Sequence, residues 1–69
     1  MTTATTYLKA RDIVDVAEAR GVLSEAKTYD DAEWREMATA AGFIAITASV
    51  ISMCRTIVEE RTSDPFRGL

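Results

Sequence analysis

Apolar positions recur at helical spacing along most of the chain. Tyr7, Ala10, Ile13, Val14 and Ala17 share one side, while Lys9, Arg11, Asp12, Asp15 and Glu18 occupy the other. Steps of three and four return side chains to one face of an α-helix, so the pattern predicts an amphipathic helix over residues 6–20. Thr5 or Thr6 is available as its cap and Gly21 as its stop. Residues 21–29 read as a connector in which Val22 and Leu23 pack back onto the core and Ser24 and Thr28 offer local caps. Asp30 followed three positions later by Glu33 has the form of a capping box. Asp31, Glu33 and Glu36 add negative charge where a helix start carries partial positive charge. A second helix is therefore expected over residues 31–61. Only Gly42 interrupts it, so this segment reads either as one helix of roughly 30 residues or as two helices broken at that glycine. Period-2 runs and Asn-Gly or Asp-Gly turns are missing, and the fold class expected is all-α, a small helical bundle forming one domain over residues 1–69. Asp64-Pro65 is expected to end the last helix, leaving a short tail at 63–69.

Within the central segment, two apolar sets follow spacings of three and four. Trp34, Met37, Ala41, Ile44, Ala48, Ile51, Arg55 and Val58 form the first, and Phe43, Ile46, Val50, Met53 and Ile57 the second. On one continuous helix these are two stripes on different sides, and a helix apolar nearly all round has to be surrounded. The first predicted helix has one apolar stripe and covers one of the two. The other is expected to meet a second copy of the chain, making Phe43, Ile46, Val50, Met53 and Ile57 a homo-oligomer interface, with a two-fold dimer as the simplest form.

Two alternatives compete for the same stripe. Residues 37–54 form an 18-residue stretch without charge, close to the length that spans a bilayer, although it holds Thr39, Thr47, Ser49 and Ser52. Separately, Met37-Ala38-Thr39-Ala40-Ala41-Gly42-Phe43 resembles the first helix and turn of the helix-turn-helix family. It places a small residue four before the turn glycine and apolar residues on either side of that glycine. The resemblance covers about 20 residues and implies that Thr47-Ala48-Ser49-Val50-Ile51 opens a recognition helix, aiming Ile46, Ser49, Val50 and Met53 at DNA. Base readers normally carry Arg, Lys, Asn or Gln at such positions, so an apolar face there favours a protein partner.

Composition narrows the chemistry. The chain has 69 residues and a formal net charge of −3, which works against phosphate binding, and its eight basic residues are never adjacent. Histidine, asparagine and glutamine are absent, and Cys54 is the only cysteine. General base catalysis by histidine and an intrachain disulfide are thereby excluded. Cys54 beside Arg55 lacks a base and reads as a structural thiol. The adjacent carboxylates Asp30/Asp31 and Glu59/Glu60 point about 100° apart on a helix rather than at one ion. Glycines stand at least 21 residues apart, too far for a phosphate loop. No catalytic residue, metal ligand or cofactor is expected. Residues 1–6 carry hydroxyls rather than a charged and then apolar leader, so a cytoplasmic setting is expected. The arginine, alanine and threonine usage suits a bacterial or phage genome.

What remains is a regulatory or inhibitory protein that works by binding other proteins. The acidic residues Asp30, Asp31, Glu33 and Glu36 exceed what one helix start requires, and they are expected to dock on a basic surface of a larger partner. Trp34 and Tyr29 flank that cluster and read as a seal on the edge of the bundle.

Overall fold

The structure is a computed structural model that describes residues 2–63, all of its regular elements helical. They are α1 (Thr2–Ala19), α2 (Leu23–Ala26), α3 (Asp31–Ala40) and α4 (Ala48–Ser63). The tail expected beyond Ser63, including the stop at Asp64-Pro65, lies outside the described residues. Helix α1 starts four residues earlier than its apolar pattern indicates, so Thr5 and Thr6 lie inside it rather than capping it. A threonine costs only a fraction of a kcal/mol in a helix, roughly 0.7 at most, and a turn already fixed by packing propagates through it.

The question of one helix or two is settled at Gly42. Its φ of +97° is left-handed, its N–H donates to the Thr39 carbonyl at 3.0 Å, and the Phe43 N–H reaches back to Ala38 O at 3.0 Å. This crossed pair of hydrogen bonds is a Schellman stop, which satisfies carbonyls that the helix end leaves orphaned. Gly21 (φ +75°) ends α1 in the same way, with Gly21 N–H on Glu18 O at 3.0 Å and Val22 N–H on Ala17 O at 3.1 Å. The next helix restarts at Thr47, whose hydroxyl accepts the Val50 N–H at 3.3 Å and whose carbonyl accepts Ile51 N–H at 3.0 Å. The heptad seam read through residues 34–58 is therefore not continuous. The charge-free stretch at 37–54 is likewise split between two helices, and no helix among the described residues is long and apolar enough to cross a membrane.

The capping box at the start of α3 is present in both halves. Glu33 N–H donates to Asp30 Oδ1 at 2.9 Å, and Asp30 N–H donates to Glu33 Oε1 at 3.3 Å. The connector at 21–29 is less irregular than its sequence suggests. It winds one short turn, α2, which buries Ala26, half-buries Val22 and Leu23, and closes with the Thr28 hydroxyl on Glu25 O at 2.8 Å.

The core is shared by all four helices. Helix α1 contributes Ala10, Ile13, Val14 and Ala17, and α2 contributes Ala26. Trp34 and Ala38 come from α3, and Val50, Ile51, Cys54, Ile57 and Val58 from α4. The alanines let helix axes approach closely, and the large residues fill the space between them. Tyr7, expected on the buried stripe of α1, is instead 42% exposed. Trp34 is fully buried rather than sealing an edge; its ring and that of Tyr29 form a T-shaped pair with centroids 5.5 Å apart, and its Nε1–H has no acceptor among the described residues.

Polar contacts order the helices around α4. The Cys54 thiol points at Ala10 O, 3.6 Å away, and Arg61 pairs with Asp15 at 2.9 Å and Glu18 at 3.4 Å, so α1 and α4 ascend together. Arg55 pairs with Asp31 at 2.9 Å while Arg35 reaches Ile46 O, which runs α3 in the opposite sense. Helix α3 thus carries the chain back to the level from which α4 can run alongside α1. These partly exposed ion pairs set direction more than stability, at about 0–1 kcal/mol each.

Candidate functional site

The five residues expected to form a homo-oligomer interface do not share one free face. Val50 and Ile57 are each only 4% exposed and belong to the chain's own core. Phe43, Ile46 and Met53 are half-buried against that core. The reason is angular. At about 100° per residue, Val50, Ile51, Cys54, Ile57 and Val58 fall within an arc of about 120°, the ordinary width of one core-facing stripe. The two stripes are a single face once residues 43–46 leave the helix, and α1 and α3 cover it. Burying α4 therefore requires no second chain.

Leaving the helix has the opposite effect on residue 44. Ile44, placed by its spacing on the inner seam, is 79% exposed, the most exposed large apolar side chain among the described residues. It sits in the α3–α4 loop, residues 41–47, which is held from two sides. The Lys9 ammonium of α1 donates to Ile44 O at 2.9 Å and to Ala45 O at 3.5 Å, and Arg35 Nε of α3 donates to Ile46 O at 3.4 Å. Only the Lys9–Ile44 contact has the length of a charge-assisted hydrogen bond; the other two, at 3.4 and 3.5 Å, are long. Together the three contacts hold Ala45 at φ +54°, a left-handed conformation that costs a non-glycine residue roughly 1–2 kcal/mol. Strain of this kind persists where the surroundings over-determine it, and it gathers at functional segments. Near Lys9 in sequence, Leu8 is also 49% exposed. Sequence reasoning missed Ile44 because the three-and-four spacing was counted straight across Gly42. The signal was there in the parallel between Arg20-Gly21-Val22 and Ala41-Gly42-Phe43, each a glycine followed by an apolar residue at a helix stop.

The acidic cluster is largely explained from within. Asp30 caps α3, Glu33 completes the capping box, and Asp31 pairs with Arg55, whose guanidinium also donates to Tyr29 O at 3.1 Å. Asp31, which appears redundant beside the Asp30 cap, is thus the anchor joining α3 to α4. Only Glu36 has no hydrogen-bond or ion-pair partner among the described residues.

The positions that the helix-turn-helix resemblance would aim at DNA are scattered in burial: Ser49 is exposed, Ile46 and Met53 are half-buried, and Val50 is in the core. The connection between α3 and α4 spans residues 41–47, longer than the three or four residues of that motif. Cys54 is 1% exposed, and burial pushes its thiol up to about 12, so it stays protonated and un-nucleophilic at neutral pH. Among the described residues no three acidic, histidine or cysteine side chains stand close enough to hold a metal ion. Comparison with protein-family models, curated proteins and solved structures finds no match, so the residues themselves carry the functional reading.

Proposed function

We propose that this chain is a non-catalytic helical protein-interaction module, acting as a regulator or inhibitor, that self-associates through its α3–α4 loop. The observation that carries the reading is Ile44, 79% exposed on a loop strained at Ala45 and held by Lys9 and Arg35. A side chain presented on a pre-ordered backbone loses little conformational freedom on binding, which is the condition for a small apolar contact to contribute useful affinity. The half-buried Phe43 and Ile46, on the same loop, supply further apolar surface in support of this reading. The absence of histidine and the protonated, enclosed Cys54 support a role without chemistry.

Light scattering coupled to size-exclusion chromatography tests this over a concentration series. Wild type is expected to shift from monomer to dimer mass with rising concentration. Ile44→Asp is expected to stay monomeric with unchanged far-UV circular dichroism, because the side chain makes little contact within its own chain. A wild type that keeps monomer mass at every concentration overturns the reading, as does an Ile44→Asp protein that dimerises like wild type.

A further inference from the structure

On α3 and the residue that leads into it, the surface dips into a groove of about 220 Å³ lined by Tyr29, Glu33, Glu36, Met37 and Ala40. It shares no residue with the α3–α4 loop. Small-molecule sites usually occupy roughly 300–1,000 Å³, so this groove has room for one long side chain rather than for a metabolite. Its lining is of two kinds. Tyr29, Met37 and Ala40 supply apolar surface, while Glu33 and Glu36, three residues apart on the same face of α3, bring two carboxylates to it. Asp30 and Asp31 are committed to the helix cap and to Arg55, but Glu36 is unpartnered among the described residues and Glu33 gives up one contact, to the Asp30 N–H.

An occupant must therefore combine an apolar stem with a cationic end. Lysine and arginine both have that form. Arginine fits better, because its planar fork can bond two carboxylates at once and lie against an aromatic ring, which a compact ammonium does not do. We infer that this groove receives an arginine side chain presented by a partner protein. The stem lies along Met37 and Ala40, the guanidinium is held by Glu36 and the free oxygen of Glu33, and the Tyr29 ring supplies a cation–π contact. This assigns to Glu33 and Glu36 alone the partner-binding role that the sequence spreads over four acidic residues.

The test uses the full chain and two short peptides, acetyl-Ala-Arg-Ala-amide and the same peptide with citrulline, which keeps the shape of arginine and lacks its charge. Titration is followed by two-dimensional NMR at the Met37 methyl group and the Glu33 and Glu36 amides. The arginine peptide is expected to give saturable shifts confined to the groove and weakened by added salt. Citrulline is expected to give none. Glu36→Gln, at an exposed position outside the capping box, is expected to weaken binding several-fold with an unchanged fold. The monomeric Ile44→Asp protein is expected to bind the peptide like wild type, so that this site and the self-association reading stand or fall separately. Shifts that are equal for citrulline, unchanged in Glu36→Gln, spread over all acidic residues or absent at saturating peptide each overturn the proposal. Groove shifts that appear with rising protein concentration and no peptide also overturn it, by assigning the arginine to a second copy of this chain.

Discussion

The two glycine stops make the same local structure and lead to opposite outcomes. After Gly21 the chain turns directly into α2, burying Ala26 and half-burying Val22 and Leu23. After Gly42 only Phe43 folds back in the equivalent way; Ile44 then stands in solvent and Ala45 takes up a strained left-handed conformation. A Schellman stop fixes how a helix ends, through hydrogen bonds confined to six residues, and says nothing of where the chain goes next. That is decided at long range. In the first case the core beside α1 takes in the following residues, whereas in the second the loop is fastened at its carbonyls by cations from α1 and α3. The first connection contributes to burial, and the second carries strain with an exposed apolar tip. Where one loop of a small protein gives up stability in that way, function is the first place to look for the compensation.

The largest effect that can break this comparison comes from setting a buried apolar position against the exposed one. Val50→Asp places an unpaired charge in the core and is expected to remove at least about 3 kcal/mol, enough to unfold a chain of this size. Ile44→Asp is expected to change stability by no more than about 0.5 kcal/mol, as surface substitutions usually do. Circular dichroism with thermal melting reads both. If Val50→Asp kept its helix content and merely lost dimer mass, α4 would present its apolar face to a second chain after all.

How much of this was legible in the sequence follows the range of each interaction. The capping box at Asp30, the stop at Gly21 and the buried set Ala10, Ile13, Val14 and Ala17 depend on contacts within a few residues or on one helical period, and they read directly. The exposure of Ile44 does not. Its spacing matches Trp34, Met37 and Ile51, and spacing identifies a face only while the helix continues. The pairing of Asp31 with Arg55 spans 24 positions and cannot be seen until α3 and α4 are known to run in opposite senses. For the same reason Val50 and Ile57 were separable from Ile51 and Val58 by heptad spacing, yet all four belong to one helical face.

A smaller effect sharpens the comparison at its shared element. A Cβ built on Gly21 or on Gly42 meets nothing within 4 Å, so alanine at either position is resisted by the backbone alone. The left-handed conformation costs roughly 1–2 kcal/mol, and the stiffer unfolded chain returns roughly 0.4–1 kcal/mol. Gly21→Ala and Gly42→Ala are each expected to lose about 1 kcal/mol, which lowers the melting temperature by about 4–8 °C in a domain this small. Gly42, at φ +97° against +75°, lies further from the left-handed minimum near +57°, and its variant is expected to lose more. A larger loss at Gly21 would mean that the two stops are not equivalent and that α2 depends on its glycine for more than the turn.

The smallest effect belongs to the strained residue itself, and its sign carries the information. At Ala45 the φ of +54° sits in the left-handed region that glycine enters freely. Ala45→Gly releases the strain, roughly 1–2 kcal/mol, and gives back roughly 0.4–1 kcal/mol through the greater freedom of the unfolded chain. The net expectation is a gain between zero and about 1.6 kcal/mol, seen as a melting temperature a few degrees higher. The same substitution frees the loop on either side of Ile44, so dimer affinity measured by sedimentation equilibrium is expected to fall while stability rises. Opposite signs in the two measurements are what a strained binding loop produces, because the rigidity that costs stability is the rigidity that aids association. If Ala45→Gly lowered the melting temperature, the Lys9 and Arg35 contacts would be stabilising the loop rather than holding it against strain, and the contrast between the two connections would reduce to one of exposure alone.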